Sequence, residues 1–259
     1  MTNNSQHKTY WKRLALVVFL FIVQLNVHAQ ERLYDSVAIK LLDKMTSLIG
    51  DLTSCSFKTH TILDETDEDY GLLTHDQYST VTYQGTNKMQ VITESEKGKS
   101  GYWYNGTQMV YYSFTNNYYG NMQNAPGNTI ETINKVHNDY DVDFPAADLF
   151  YPTFTDDLME NADRIEYLGK VMKNNKSYYK IAAKGKGMTL QLWITDDAYF
   201  LPARLVIRNE KNASRYYEVN LSDWHFNIAL PDSFFEFDKP PHARPLTIIP
   251  KRIKNETAQ

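Results

Sequence analysis

Asn220-Leu-Ser-Asp-Trp-His-Phe-Asn-Ile-Ala-Leu-Pro-Asp-Ser-Phe-Phe-Glu-Phe237 closes a long run of alternating strands and ends in three clustered rings, Phe234, Phe235 and Phe237. Leu221 continues the period of two set by Tyr217 and Val219, and Pro231, which has no N–H to give a ladder, ends it. The stretch holds no nucleophile–base pair, no metal-ligand spacing and no phosphate loop. It reads as the closing element of a large antiparallel sheet. Its phenylalanines are expected to plug an end of that sheet or seal its last edge, with Trp224 and His225 structural.

Upstream, strands recur at short intervals. Residues 164–172 and 177–184 flank an Asn174-Asn175 turn, and residues 188–195 place Met188, Leu190, Leu192 and Ile194 on one face. Residues 202–208 and 215–224 follow. An earlier block reads the same way over 54–63, 78–83, 88–93, 102–104, 108–114 and 118–122, with an Asn105-Gly106 hairpin turn and an acidic loop through Asp64–Asp69. About ten strands joined by short turns indicate an antiparallel meander. Between the blocks, Ala125-Pro126-Gly127 breaks the sheet. Helices are predicted near 128–138, 145–150 and 155–161, an excursion over one face.

Ahead of the first strand, Val37, Leu41, Leu42, Met45, Leu48 and Ile49 recur at spacings of three and four, predicting a helix over 35–49 capped by Asp35 or Ser36, with Gly50 in the left-handed position beyond it. Such a stripe requires an apolar surface to lie on.

Residues 1–29 read as a secretory signal peptide: Lys8, Lys12 and Arg13 precede a nearly uninterrupted apolar run over 14–23, and Val27-His28-Ala29 offers small residues at a cleavage site. The alternative is a membrane anchor, but Gln24 and Asn26 cut the run short of the ~20 residues that span a bilayer. No transmembrane span is expected in the mature chain, which is predicted to be a soluble periplasmic protein. Three of the 27 basic residues and none of the 31 acidic ones fall in this segment, leaving a net charge of −7. That excludes a nucleic-acid partner, which needs a basic footprint, and opposes tight adhesion to anionic lipid. The single cysteine, Cys55, permits no internal disulfide; it reads as a buried small hydrophobe, the alternative being a reactive thiol.

Chemistry-bearing patterns are sparse. The five histidines after residue 29 lie at no ligand spacing, and Asp139-Tyr-Asp141-Val-Asp143 opens like a calcium loop but has Phe144 and Phe150 where Gly and Glu are required. Gly-x-Ser-x-Gly and dinucleotide glycine motifs do not occur. Cys55 and His60 fall on opposite faces of one strand. No metal, no cofactor and no enzymatic activity are expected; an active site would need His60 or His225 brought to an Asp by folding. The distinctive feature is aromatic: with 19 Tyr and 12 Phe, stretches such as Tyr102-Trp103-Tyr104 and Tyr178-Tyr179 put rings on both faces of a strand. Either a well-filled core with an amphipathic outer face, or apolar surface beyond what the helices cover, accounts for this. The surplus in the second case forms a cavity.

Three pieces, Ala38-Ile-Lys-Leu-Leu-Asp-Lys-Met45 with the following Phe57 strand, Asp143-Phe-Pro-Ala-Ala-Asp-Leu-Phe-Tyr-Pro152 and Leu221 through Phe237, resemble a family of uncharacterised predicted periplasmic proteins grouped with the LolA-like lipoprotein carriers and related lipid-binding proteins. Trp103-Tyr-Asn-Gly-Thr107, Leu192-Trp-Ile-Thr195 and Leu201-Pro-Ala-Arg-Leu205 match in kind, so the resemblance spans nearly the whole chain after residue 29. It implies an α+β fold, a half-open antiparallel β-barrel with helices across its concave face, enclosing a cavity for acyl chains under a helical lid. The carriers hold their lid with a basic residue on an early strand. Here that strand offers only Lys58, opposite in face to Phe57, so no functional residue is carried over. The expected organisation is a signal peptide over 1–29, one LolA-like half-barrel domain over 30–238 and a Pro-rich basic tail over 239–259, disordered or adding a short edge strand at 246–249. The expected function is non-enzymatic binding of a lipid or lipoprotein acyl chain. Leu41, Met45, Phe57, Leu190 and Leu192 would line the cavity, with Leu149 and Phe150 from the lid. The alternative is a periplasmic interaction module with a filled barrel and an envelope protein as partner.

Overall fold

A computed structural model describes residues 32–122, 124–210 and 216–251; the expected signal peptide lies outside these residues. Leu33 onward forms one compact unit. It opens with strand β1 (Leu33–Tyr34) and helix α1 (Ser36–Gly50), followed by β2 (Ser54–Asp67), β3 (Gly71–Gln84), β4 (Lys88–Ser95), β5 (Gly98–Tyr104), β6 (Met109–Ser113) and β7 (Tyr118–Met122). Helix α2 (Thr129–Tyr140), a 3₁₀ turn (Ala147–Phe150) and helix α3 (Phe154–Asn161) make the excursion. Strands β8 (Arg164–Lys173), β9 (Lys176–Gly185), β10 (Met188–Thr195), β11 (Pro202–Asn209) and β12 (Tyr216–Phe226) return the chain to the sheet, and a second 3₁₀ turn (Asp232–Phe235) and β13 (Arg244–Pro245) complete it.

The strands form one open sheet in the order β1-β8-β9-β10-β11-β12-β2-β3-β4-β5-β6-β7-β13, so β2 is the middle strand. Thirteen strands replace the ten or so expected, and the sheet is open where a half-barrel was expected. The two edge strands are the additions: β1 and β13 have two residues each and pair parallel to β8 and β7. Two residues carry no readable period, yet such short edges end the sheet without leaving a long template for another chain. Beyond β13, Leu246 N–H donates to the Tyr119 carbonyl at 2.7 Å. Ile248 sits on Gly120, where a Cβ would come within 2.4 Å of the isoleucine. The sheet therefore continues past the expected domain limit at 238, with the edge strand at 244–245 rather than 246–249.

Local chemistry explains two further departures. The acidic run is not a loop: β2 and β3 stay paired out to Asp67 and Gly71. The Asp67 carboxylate accepts from the Asp69 and Tyr70 amides at 2.9 Å, and Gly71 takes a φ of 82° that other residues resist. In α1 the Asp35 carboxylate caps the Val37 amide at 2.8 Å, as expected, but Val37 is 46% exposed and the buried stripe is Ala38, Leu42, Met45 and Ile49. Gly50 ends the helix, and Asp51, in right-handed geometry, follows it.

Register sorts the side chains into two faces, since directly paired residues project to the same side. Cys55, Tyr83, Met89, Tyr104, Met109 and Met122 form one row of the helix-covered face; Phe57, Val81, Val91, Tyr102 and Tyr111 form the next. Tyr167, Ile181, Leu192, Leu205 and Val219 form a third, from β8 to β12. The main core joins these rows to the stripe of α1, Val136 of α2, and Phe144, Leu149 and Phe154.

The opposite, outer face has its own apolar cover. Phe237 lies 5.3 Å from Trp103, 5.3 Å from Tyr112 and 5.9 Å from Tyr119, while Phe235 is fully buried and the Gln90 side-chain amide donates to the Phe234 carbonyl at 3.1 Å. The closing aromatics thus seal a sheet face, neither plugging an end nor sealing the last edge. This second cluster accounts for much of the aromatic surplus: Tyr102 and Tyr104 point inward, and Trp103 lies outward beneath Phe237.

Candidate functional site

The helix-covered face centres on Phe57 of the middle strand. Its ring stacks on Trp224 at 4.5 Å and on Phe150 at 5.0 Å, and Tyr83 meets Phe150 edge-on at 5.9 Å. Trp224 reaches this face through a bulge. The β12–β2 register shifts between Ser222 and His225, and Asp223 takes a left-handed φ of 52°. The extra residue returns Trp224 and Phe226 to the side of Leu221. Tyr102 packs edge-on against Phe144 at 5.2 Å, which continues the aromatic surface under the start of the excursion.

Few polar contacts join the helical layer to the sheet. Tyr217 Oη accepts from the Ala146 amide at 3.2 Å, Tyr34 Oη donates to the Ala162 carbonyl at 3.1 Å, and Tyr104 Oη donates to the Pro126 carbonyl. At the layer's margins the Thr129 amide donates to the Thr86 carbonyl at 2.7 Å, the Tyr167 amide to the Asp35 carboxylate at 3.3 Å and Lys186 Nζ to the Asn161 side chain. Over Phe57 itself the contact is apolar packing, which is non-directional. Burial pushes the Cys55 thiol up to about 12, so it stays protonated in the core. Burial likewise raises the Tyr83 and Tyr102 hydroxyls above the ordinary phenol range.

All seven residues expected to line a cavity lie in this core or against it. Met45, Phe57, Leu149 and Leu192 are fully buried, while Leu41, Phe150 and Leu190 are half-buried. Ring contact joins Phe57 to Phe150; the others share the same continuous core. Trp224, Tyr83 and Phe226 also belong here but were missed. Tyr83 was within reach, because strict alternation from Val81 places it on this face. Trp224 was not, because alternation from Leu221 places it outside.

The outer face holds a shallow groove of about 370 Å³, lined by Lys58, His60, Tyr78, Ile92, Glu94 and Lys99, among others. His60 Nε2 lies 2.5 Å from Asp76 and its ring stacks on Tyr78 at 4.4 Å, facing away from Cys55. Arg204 grips Glu218 in a two-pronged pair at 2.8 and 2.7 Å, which with Tyr216 and Asn220 holds that carboxyl down at about 2. Among the described residues no group of three or more His, Cys, Asp or Glu could hold a metal ion. The carboxylates of Asp139, Asp141 and Asp143 pair separately with Lys135, Lys251 and His137. Among the described residues no helix is long and apolar enough to cross a membrane.

Fold and site together define an α+β protein in which a wide antiparallel sheet carries a helical cover over an aromatic face. The chain belongs to a family described as predicted periplasmic protein (DUF2092), whose model matches residues 38–249. No curated protein matches it in sequence. Solved structures similar to it include an uncharacterized conserved protein from Thermus thermophilus, at 12% identity and a TM-score of 0.48 over 82% of this chain and 99% of that one. The Mycobacterium tuberculosis lipoprotein LppX is similar at 12% identity and 0.46, over 76% of this chain and 100% of that one. A LolA superfamily protein from Nitrosomonas europaea is similar at 10% identity and 0.34, over 78% and 98%.

Proposed function

We propose that the protein is an exported, non-enzymatic periplasmic binder of an acyl lipid or lipoprotein acyl chain, held between the sheet and its helical cover. One observation carries this reading: the aromatic face around Phe57 is covered by a separate helical layer tied to the sheet by few hydrogen bonds. Such a layer can part from the sheet without leaving many polar groups unpaired. Leu41, Met45, Phe57, Leu190 and Leu192 would then line the opened space, with Leu149 and Phe150 moving with the lid. An acyl chain replacing those contacts would regain ~1.5–3 kcal/mol per side chain kept from water, so binding needs no ion pair. The test is uptake of a fluorescent fatty-acid probe by the purified protein, with mass spectrometry of organic extracts of the native protein. Absence of both uptake and extracted lipid rejects the reading.

A second reading is a periplasmic interaction module with a filled interior and an envelope protein as partner. The complete burial of Met45, Phe57, Leu149 and Leu192 favours it. A stoichiometric co-purifying partner in the absence of extracted lipid would establish it.

A further inference from the structure

The apolar row that crosses β8 to β12 as Tyr167, Ile181, Leu192, Leu205 and Val219 changes character at the middle strand, where it continues as Thr61, Gln77 and Ser95. The next row does the same, passing from Leu221 to Thr59, Ser79, Thr93 and Ser100. Thr59 and Thr61 are each 3% exposed, and among the described residues neither hydroxyl has a hydrogen-bond partner. Their neighbour Ser79 does have one, the Thr93 hydroxyl at 2.9 Å. A buried hydroxyl without a partner is costly, and valine would serve a middle strand equally well in shape and better in burial. The strand itself has no use for the two hydroxyls.

We infer that Thr59 and Thr61 form the head-group subsite of the lipid cavity, taking the uncharged ester or hydroxyl end of an acyl lipid while its chain lies toward Phe57, Phe150 and Trp224. This rests on the lipid-binding reading of the helix-covered face. The two hydroxyls stand about 7 Å apart along one strand face, each able to donate and to accept. The residues beside them on that face, Phe57, Leu63, Ser79, Gln77, Val219 and Leu221, carry no charge. A phosphate or carboxylate placed there would lose its hydration, and the ionisable group next along that face, His75 opposite Leu63, is already engaged by Glu96 at 2.9 Å. An ester or alcohol meets its hydrogen-bonding need from the threonines. The order along β2, Phe57 then Thr59 then Thr61, orients the ligand: tail at the aromatic cluster, head two to four residues along the strand.

The experiment compares three pyrene probes of equal chain length, an alkane, a monoacylglycerol and a fatty carboxylate at pH 8, on the purified protein and on the double variant Thr59→Val/Thr61→Val. The wild type should bind the monoacylglycerol at least tenfold more tightly than either other probe. The double variant should bind alkane and monoacylglycerol within twofold of each other, and Thr59→Ser/Thr61→Ser should restore the preference. A preference unchanged in the valine variant overturns the subsite and leaves the lipid reading standing. A wild type that favours the carboxylate overturns the uncharged class. Failure to bind any probe removes the lipid reading and this inference with it. Photolabelling of the wild type keeps the test open if the valine variant misfolds. A diazirine on the glycerol should mark the β2 peptide and one at the chain end the segments around Phe150 and Trp224, and the reverse pattern overturns the orientation.

Discussion

The Phe57 ring lies 4.5 Å from the Trp224 indole and nearly parallel to it, joining the middle strand to the end of β12 across a bulge. The contact is the centre of the aromatic face, so its loss should be felt in both stability and binding. Trp224→Ala and Phe57→Ala are each expected to cost ~3–5 kcal/mol in urea unfolding. The double variant should fall short of additivity by ~0.5–1.5 kcal/mol, the size of an aromatic pair beyond its burial. Strict additivity would show that the rings do not cooperate.

Asp223 is the extra residue of that bulge, in left-handed geometry. Asp223→Gly suits this backbone and gives up only a 2.8 Å pair with Lys58 between two exposed side chains, so its stability should stay within ~1 kcal/mol of wild type. Asp223→Val should cost ~1–2 kcal/mol through backbone strain. Deleting the residue leaves Leu221, Ser222 and Trp224 in plain alternation, so Trp224 should stay on the inner face opposite Phe57 and unfolding should remain cooperative. Tryptophan fluorescence during denaturant titration distinguishes the three.

Acid stability should be governed in part by Glu218. Arg204 holds its carboxyl at about 2, below the ordinary 4.5, in a nearly buried site. A depressed carboxyl contributes stability at pH values above its unfolded pKa and loses it as pH falls toward the folded one. The loss should therefore accumulate between about pH 5 and 2 and amount to ~2–3 kcal/mol. Glu218→Gln should flatten that part of the pH profile. Arg204→Met should destabilise by ~3–5 kcal/mol near neutrality by leaving the carboxylate unpaired.

Cys55 should behave as a core atom. With its thiol pushed from 9.0 up to about 12, it should resist a disulfide reagent at pH 8 until denaturant unfolds the chain. A raised acid stabilises the fold below its unfolded pKa, so the contribution should vanish as pH climbs from about 9 to 12. Rapid labelling of the native protein would place the thiol at a solvent-reachable surface.

Tyr217 ties the excursion to the sheet through the Ala146 amide. Tyr217→Phe should cost ~1–3 kcal/mol by leaving that amide unpaired. If the helical layer is the lid, uptake of a fatty-acid probe in stopped flow should also quicken several-fold. Loss of stability without faster uptake would argue that the layer does not open there.

Much of this architecture was legible because it is local. The β8–β12 meander followed from alternation and turn residues, although bulges interrupt the pairing at Tyr167–Lys170, Trp193–Ile194 and Ser222–His225. The helix over Ser36–Gly50 followed from three-and-four spacing and the Asp35 cap, and the excursion from a cap at Asn128 after a Pro-Gly break. Val37 was misplaced because a stripe defines a face only to within a residue's width, and the partner surface chooses which edge is buried. The run Asp64–Asp69 looked like a loop because its charge outweighed its pairing. Only the complementary strand from Gly71 shows it extended.

The amino-acid sequence alone settled the α+β class, the antiparallel pairing and the placement of Leu41, Met45, Phe57, Leu149, Phe150, Leu190 and Leu192 among apolar elements. Periodicity and turn chemistry act over a few residues and need no partner. Tertiary structure decided the rest: two edge strands too short to read, a bulge that reverses Trp224, a closing phenylalanine cluster on the outer face, and two buried threonine hydroxyls with no partner among the described residues. Each depends on which strand lies beside which. That neighbourhood is set by contacts between segments more than a hundred residues apart, as where Trp224 meets Phe57, and no local pattern carries it.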